Sequence, residues 1–232
     1  MPVIDVMPDV HQLMFGGVNI GLIAEQELTL VDAGLPGSTP RVVELVRRLG
    51  RSVDEITTVV ITHNHFDHIA GLPELQKLTE VKVIAHAAGL VGADAYAPYP
   101  EGIRRMLRVP FLNPLRRRFV LGESDVDVQL TGGEVLNLLG GLQVIHTPGH
   151  TPGSICLYSP QRRLVFVGDA MRRHRRSLEL PAKPVSTDLV QAVDSLRKIA
   201  ELDFDVMVFG HGRPVTEEGR AWVQALLRRA GG

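Results

Sequence analysis

The segment Ile56–Thr62, ITTVVIT, is dense in β-branched residues and reads as a buried strand, because such side chains are stiff and pack well on a pleated surface. It runs without a break into HNHFDH, which places three of the chain's nine histidines and an aspartate at positions 63–68. That junction constrains the fold more than any other stretch. A strand buried among apolar neighbours must deliver a polar loop to an edge of the core. Side chains two apart in extended chain face the same way, so His63 and His65 converge. Asp67 and His68 are adjacent and reach the same region only if the chain turns after Phe66. Imidazole nitrogen and carboxylate oxygen suit zinc, iron or manganese, so all four residues are candidate metal ligands. A solvated polar loop is the plain alternative, but H-x-H-x-D-H arises by chance in roughly one chain per thousand of this length.

Around the junction, strands and helices alternate. HQLMF, VNIGLIA and ELTLVDAG read as three short strands with turns at Gly16-Gly17 and Glu25-Gln26. Ser38 or Thr39 is expected to cap a helix through PRVVELVRRLG, with Pro40 at its first position and Gly50 at its end. LPELQKL reads as a short helix and VKVIA as a strand. VDVQL, GLQVIHT, SICLYS, RLVFVGD and FDVMVFG read as further strands, and STDLVQAVDSLRKIAEL and TEEGRAWVQALLRRA as helices. No Pro/Gly/Ser linker parts the two strand-rich halves, so residues 1–232 are expected to form one α/β domain with helix layers over a strand sandwich. Positions 87–124 are the least regular and form a candidate lid or insert.

A net charge of −1 gives no sign of a nucleic-acid partner. No apolar run approaches the ~20 residues of a membrane span, and the N-terminus lacks a basic start followed by an apolar run. The lone Cys156 suits a reducing compartment. These features predict a cytoplasmic protein with no nucleic-acid or membrane partner, and they leave a homodimer open.

Four further signals sit where strands finish. His150 lies in HTPGHTPGS between two strands, Asp169 closes RLVFVGD, His211 follows FDVMVFG, and Asp32 closes TLVD. Singly each reads as a turn residue; together they mark the place where loops carry chemistry. With H-x-H-x-D-H, H-T-P-G-H, G-D and G-H-G in this order, the chain resembles the metallo-β-lactamase-fold hydrolases over nearly its whole length. Its ligand set is most similar to those of glyoxalase II-like and lactonase-like members. The resemblance implies a four-layer αββα sandwich with two divalent metal ions at one edge, zinc first and iron or manganese as alternatives. It implies that His63, His65 and His150 hold the first ion and Asp67, His68 and His211 the second. Asp169 would bridge them, and Asp32 would orient a ligand histidine from behind. Two divalent ions set against Asp67, Asp169 and a bridging hydroxide leave residual positive charge, which suits polarisation of a carbonyl or phosphoryl oxygen. The implied chemistry is hydrolysis of an ester, thioester or lactone of a small-molecule substrate by that hydroxide, with Asp67 and His211 also read as catalytic.

Departures from the family's patterns narrow the substrate. β-Lactamases of this fold generally lack the bridging aspartate that Asp169 resembles. Glyoxalase II enzymes add a helical C-terminal region that grips glutathione, whereas about twenty residues follow His211 here. Lactonases carry a tyrosine downstream of the bridging aspartate, whereas Tyr96, Tyr99 and Tyr158 all precede Asp169. A metal-dependent phosphodiesterase and a mononuclear iron dioxygenase of the same fold are the alternatives. The complete ligand set argues against the second.

Two basic clusters remain, Arg104–Phe119 and Met171–Ser177. A solvated surface is the plain reading of both. The sharper one makes Arg172, Arg173 and His174, only a few residues beyond Asp169, a rim for an anionic substrate. His146 and His86 read as structural or supporting, His11 as a non-ligand, and Cys156 as a buried small hydrophobe.

Overall fold

A computed structural model describes residues 3–90, 105 and 120–231. Seven strands pair in sequence order to form the first sheet: β1 (Val3–Met7), β2 (Val10–Phe15), β3 (Val18–Ala24), β4 (Leu28–Val31), β5 (Ile56–Val60), β6 (Lys82–His86) and β7 (Val128–Leu130). β1 to β4 are antiparallel, with a register shift in β1 between Asp5 and Met7. From β4 to β7 the pairing is parallel. Parallel neighbours need crossover connections, and α1 (Thr39–Arg48) and the single-turn helices α2 (Phe66–Ile69) and α3 (Leu72–Leu75) lie on these paths. The parallel run also brings the C-terminal ends of β4 and β5, which lead into Asp32 and His63, to the same edge.

The second half supplies β8 (Val135–Leu136), β9 (Leu142–His146), β10 (Ile155–Ser159) and β11 (Leu164–Gly168). A separate hairpin of β12 (Arg172–His174) and β13 (Ser177–Glu179) follows, then α4 (Leu189–Glu201), β14 (Val206–Phe209) and α5 (Gly219–Ala230). The second sheet runs β14-β11-β10-β9-β8, with β14 parallel to β11. Met207 of β14 also bridges to Val215 beyond its other side.

The central strands are largely apolar on both faces because they are covered on both. In β11, Leu164 and Phe166 pack between the sheets while Val165 and Val167 join the cluster under α4 and α5. In β4, Leu28 and Leu30 pack with Val42, Leu45 and Val46 of α1, and Val31 turns inward. Period-2 alternation therefore selects between two hydrophobic layers rather than between core and water. The result is the four-layer αββα sandwich. Phe166 is 1% exposed and sits over Gly21, where a Cβ would come within 3.0 Å of the ring. Burial of such a side chain stabilises by about 1.5–3 kcal/mol.

Local departures have physical reasons. α1 starts at Thr39, which puts Pro40 second, and the Ser38 hydroxyl donates to the Ala33 carbonyl (2.9 Å) instead of capping the helix. β1, β8, β12 and β13 lie outside the strands expected from pattern; β8 and β12 are two and three residues long, too short for a period to register. Among the described residues, no helix is long and apolar enough to cross a membrane. Most of the 87–124 stretch, Tyr96, Tyr99 and the basic run at 104–119 apart from Arg105 lie outside the described residues.

Candidate metal centre

The chain stays extended through His65 (φ −98°, ψ 150°) and then turns into α2. The extended part puts the His63 and His65 rings 4.8 Å apart. Between them Asn64 faces away and ties the loop down: its amide donates to Gly89 O (2.7 Å) and Leu121 O (3.1 Å), and its carbonyl accepts from Leu121 N (2.8 Å). The helical turn then brings Asp67 and His68 round, with His68 Nε2 3.7 Å from Asp67 Oδ2. The His68 carbonyl accepts from Ala33 N (2.7 Å) and Gly34 N (3.2 Å), which docks α2 against the loop after β4.

The second sheet contributes the rest. His150 sits in the loop after β9, Asp169 follows β11 and His211 follows β14. Two glycines permit this convergence. Gly168 adopts φ +50°, and a Cβ there would lie 2.8 Å from Thr62. A Cβ at Gly210 would collide with Asp169 Oδ1 and come within 2.7 Å of His68 Cε1. The G-D and G-H pairs are thus steric necessities as well as motifs.

Three groups of ligand atoms each lie within 4.8 Å of one another: His63, His65 and His150; Asp67, His68 and His211; and His63, His68 and Asp169. The Asp169 carboxylate spans the cluster, with Oδ1 3.6 Å from His68 Nε2 and Oδ2 3.6 Å from His150 Nε2 and 3.1 Å from His211 Nε2.

Hydrogen bonds at the outer nitrogens fix which way the histidines face. Thr62 donates from its backbone and its hydroxyl to Asp32 (2.7 and 2.8 Å), so its oxygen is left to accept from His63 Nδ1 (3.1 Å). His68 Nδ1 donates to Asp32 Oδ2 (2.7 Å) and His211 Nδ1 to Gly17 O (2.8 Å). His150 Nδ1 donates to Ser186 Oγ (3.0 Å), which itself donates to Ala182 O (2.9 Å). In all four Nε2 is the nitrogen turned toward the cluster, the one left to a cation once it carries no proton. His65 presents Nδ1, 2.9 Å from His150 Nε2.

Among the described residues, His63 Nε2, His68 Nε2 and Asp169 Oδ1 are buried without a hydrogen-bond partner. An unsatisfied buried polar atom costs about 1–3 kcal/mol. Three of them aimed at one another fit a cation site.

The electrostatics divide the cluster. Burial, reinforced by neighbouring imidazoles, holds His63 well below its ordinary pKa and His65 at about 3. Burial likewise lowers His150 to about 4, against the pull of Asp169. Burial opposes the charge on His68 too, but Asp32 and Asp169 overcome it and raise the group to about 9. His211 rises to about 11 because its bonds to Asp169 and Asp67 outweigh its desolvation. Desolvation would raise both carboxylates, yet His211 and His68 hold Asp67 at about 2 and His68 and His211 hold Asp169 well below the usual range.

The cluster floors an open cavity of about 750 Å³. Phe66, Pro181, Ala182 and Val185 form an apolar wall, and Arg172, Arg173, His174 and Glu179 stand at the mouth. The three rim residues expected from sequence do line the cavity, but their charges are engaged. Glu179 pairs with Arg172 (2.7 Å) and His174 (3.1 Å). Arg173 donates to Pro214 O and lies 5.1 Å from the Trp222 ring. His86 and His146 stack on each other 3.9 Å apart, and His146 donates to Pro152 O (2.8 Å). Sequence reasoning missed Glu179, Ser186 and the wall; only Phe66, inside the histidine motif, carried a signal. Ser186 sits just before a helix, where a serine reads as a cap.

The chain belongs to the metallo-beta-lactamase superfamily, whose family model matches residues 13–211. It is similar to a probable metallo-hydrolase of Bacillus subtilis, YflN, with 30% identity over 202 residues, 81% of this chain and 76% of that one. It is 36% identical over 115 residues to an acyl-coenzyme A thioesterase of Gallus gallus, MBLAC2, across 48% of this chain and 40% of that one. Its fold matches the crystal structure of a metallo-beta-lactamase family protein from Thermus thermophilus, TTHA1429, with a TM-score of 0.74 and 22% identity, covering 97% of this chain and 80% of the other. Membership makes the chain a hydrolase of that superfamily, and the fold implies use of divalent metal.

Proposed function

We propose that the protein is a binuclear hydrolase of small thioesters and esters. One ion would be held by His63, His65 and His150 and a second by Asp67, His68 and His211, with Asp169 within reach of both groups. The observation that carries this reading is the Asp169 carboxylate, which faces His68 with one oxygen and His150 and His211 with the other at the floor of the cavity. Divalent ions in such a site supply a water-derived nucleophile at neutral pH and polarise the scissile carbonyl.

The chain's own residues do the rest. The outer hydrogen bonds to Asp32, Thr62, Ser186 and Gly17 hold the imidazoles in the orientation that binding needs. The wall of Phe66, Pro181, Ala182 and Val185 receives an apolar acyl group and excludes water from it. Arg172, Arg173 and His174 stand where an anionic tail would leave the cavity. Asp67, held at about 2 beside His211, stays ionised and supplies no proton. A site without a ready proton donor favours a leaving group that departs as an anion. A thiolate, with a parent pKa of about 8.5, does so far more readily than an alkoxide. The thioesterase activity in the name of the chicken relative supports the same substrate class. The lone, unpaired cysteine is in keeping with a cytoplasmic setting.

The test is a panel of acyl thioesters, p-nitrophenyl acetate, lactones and bis(p-nitrophenyl) phosphate offered to metal-loaded protein. Thioesters are expected to turn over fastest. Turnover of the phosphodiester alone would overturn the reading in favour of a phosphodiesterase.

A further inference from the structure

The loop that carries His211 is held by the opposite sheet. His211 Nδ1 donates to the carbonyl of Gly17, in the turn between β2 and β3 (2.8 Å). Asn19, two residues further along, makes three more contacts with the same loop. Its backbone N–H donates to Gly210 O (2.8 Å), and its side-chain amide donates to Phe209 O (2.9 Å) and Gly212 O (2.6 Å). Gln12 of β2 adds a second donor to Gly212 O (2.9 Å). Every carbonyl from Phe209 to Gly212 except that of His211 itself is thus bound by the β2–β3 hairpin.

Both side chains are buried, and both keep their amide oxygens without a partner among the described residues. The amide orientation is fixed, because reversing it would point oxygen at carbonyl oxygen. The cost of a stranded oxygen is tolerated twice in one place, and in return each amide offers donors to the His211 turn. An apolar strand position would ordinarily hold Val or Leu. The polar residues at 12 and 19 are explained by the loop they grip, whose carbonyls their amides bind.

We propose that Asn19, assisted by Gln12, is a positioning residue that sets where His211 stands relative to Asp67 and Asp169. On this inference, capture of the second ion depends on a clamp between the two sheets. It rests on the reading that His211 is a ligand of that ion. Asn19 touches neither substrate nor reacting atoms. Its removal should therefore loosen one ion selectively, whereas a general loss of packing would weaken both.

The experiment measures zinc uptake by the full-length protein in competition with a chromophoric chelator. It compares the parent, Asn19→Leu, Gln12→Leu and His211→Ala, with circular dichroism to check folding. The parent is expected to bind two ions and His211→Ala to lose the weaker one. Asn19→Leu should bind the first ion within about threefold of the parent and the second 10- to 100-fold more weakly, the range for partners behind a ligand. Gln12→Leu, which leaves Gly212 one donor, should show a smaller loss in the same direction, and it carries the test if Asn19→Leu does not fold. Turnover by Asn19→Leu should recover as zinc is raised. If both variants fold and bind two ions as the parent does, the clamp is wrong. Equal weakening of both ions would also overturn it, in favour of a purely structural role. If His211→Ala itself leaves uptake unchanged, the ligand assignment of His211 fails first, and the clamp with it.

Discussion

The two triads of the centre use nearly the same residue types and differ in what surrounds them. His63, His65 and His150 are 2%, 6% and 2% exposed, and burial keeps them neutral. Asp67 and His211 have side chains 33% and 31% exposed at the cavity floor, and the carboxylates beside His68 and His211 keep those imidazoles protonated when no metal is bound. The difference teaches that a side chain's readiness for a cation is set by its neighbours: the buried triad is already neutral, while His68 and His211 must first give up protons. Filling should therefore be ordered, with the buried triad first.

The largest expected effect separates the triads outright. His65→Ala should lower turnover on the order of 10³-fold and abolish binding of both ions, because the second triad alone competes with protons. His211→Ala should keep one ion. Elemental analysis that finds the two variants equally depleted would erase the distinction.

pH gives the next largest contrast. Displacing protons from His68 and His211 makes affinity for the second ion rise with pH, by up to about two decades per unit between pH 6 and 8. The sign follows from pKa values raised to about 9 and about 11, both above that window. Uptake by the buried triad should stay nearly flat there, since His65 at about 3 and His150 at about 4 have already lost their protons. Chelator competition at pH 6, 7 and 8 reads both slopes, and two flat lines would contradict the argument.

Hydrogen-bond partners sharpen the comparison further. Asp32→Asn should weaken both ions, by roughly 10- to 100-fold, because Asp32 reaches His68 directly and His63 through Thr62. Ser186→Ala should touch only the first, by about tenfold, because it serves His150 alone. Equal effects of Ser186→Ala on both ions would show that the triads are mechanically one unit. The smallest effect lies at the mouth, where Arg172→Ala should raise KM for an anionic thioester a few-fold. The effect should fade with added salt, as exposed charges are screened over about 10 Å.

How much of this was legible in the sequence depends on how local each signal was. HNHFDH declares itself because four candidate ligands fall within six positions behind a β-branched strand. His150, Asp169 and His211 are isolated in sequence, and only their shared place at strand ends, together with the family resemblance, joins them to the loop. The strands facing two apolar layers were readable as uninterrupted runs. The β12–β13 hairpin was not: RRHRR has no hydrophobic period, and its pairing of Arg172 with Glu179 is a tertiary fact. Gln12 and Asn19 look like solvent-facing positions of alternating strands. They are buried because a loop some 200 residues away folds over them.

The sandwich also protects itself from its own copies. An outermost strand with open N–H and C=O groups is a template for pairing with another chain. Here the first sheet ends in the register shift of β1 on one side and in three-residue β7 on the other. The second ends in two-residue β8 and in β14, which is partly occupied by Val215. None offers a long, flat ribbon for edge-to-edge growth. Among the described residues, the sheet edges are therefore poor templates for fibrous stacking.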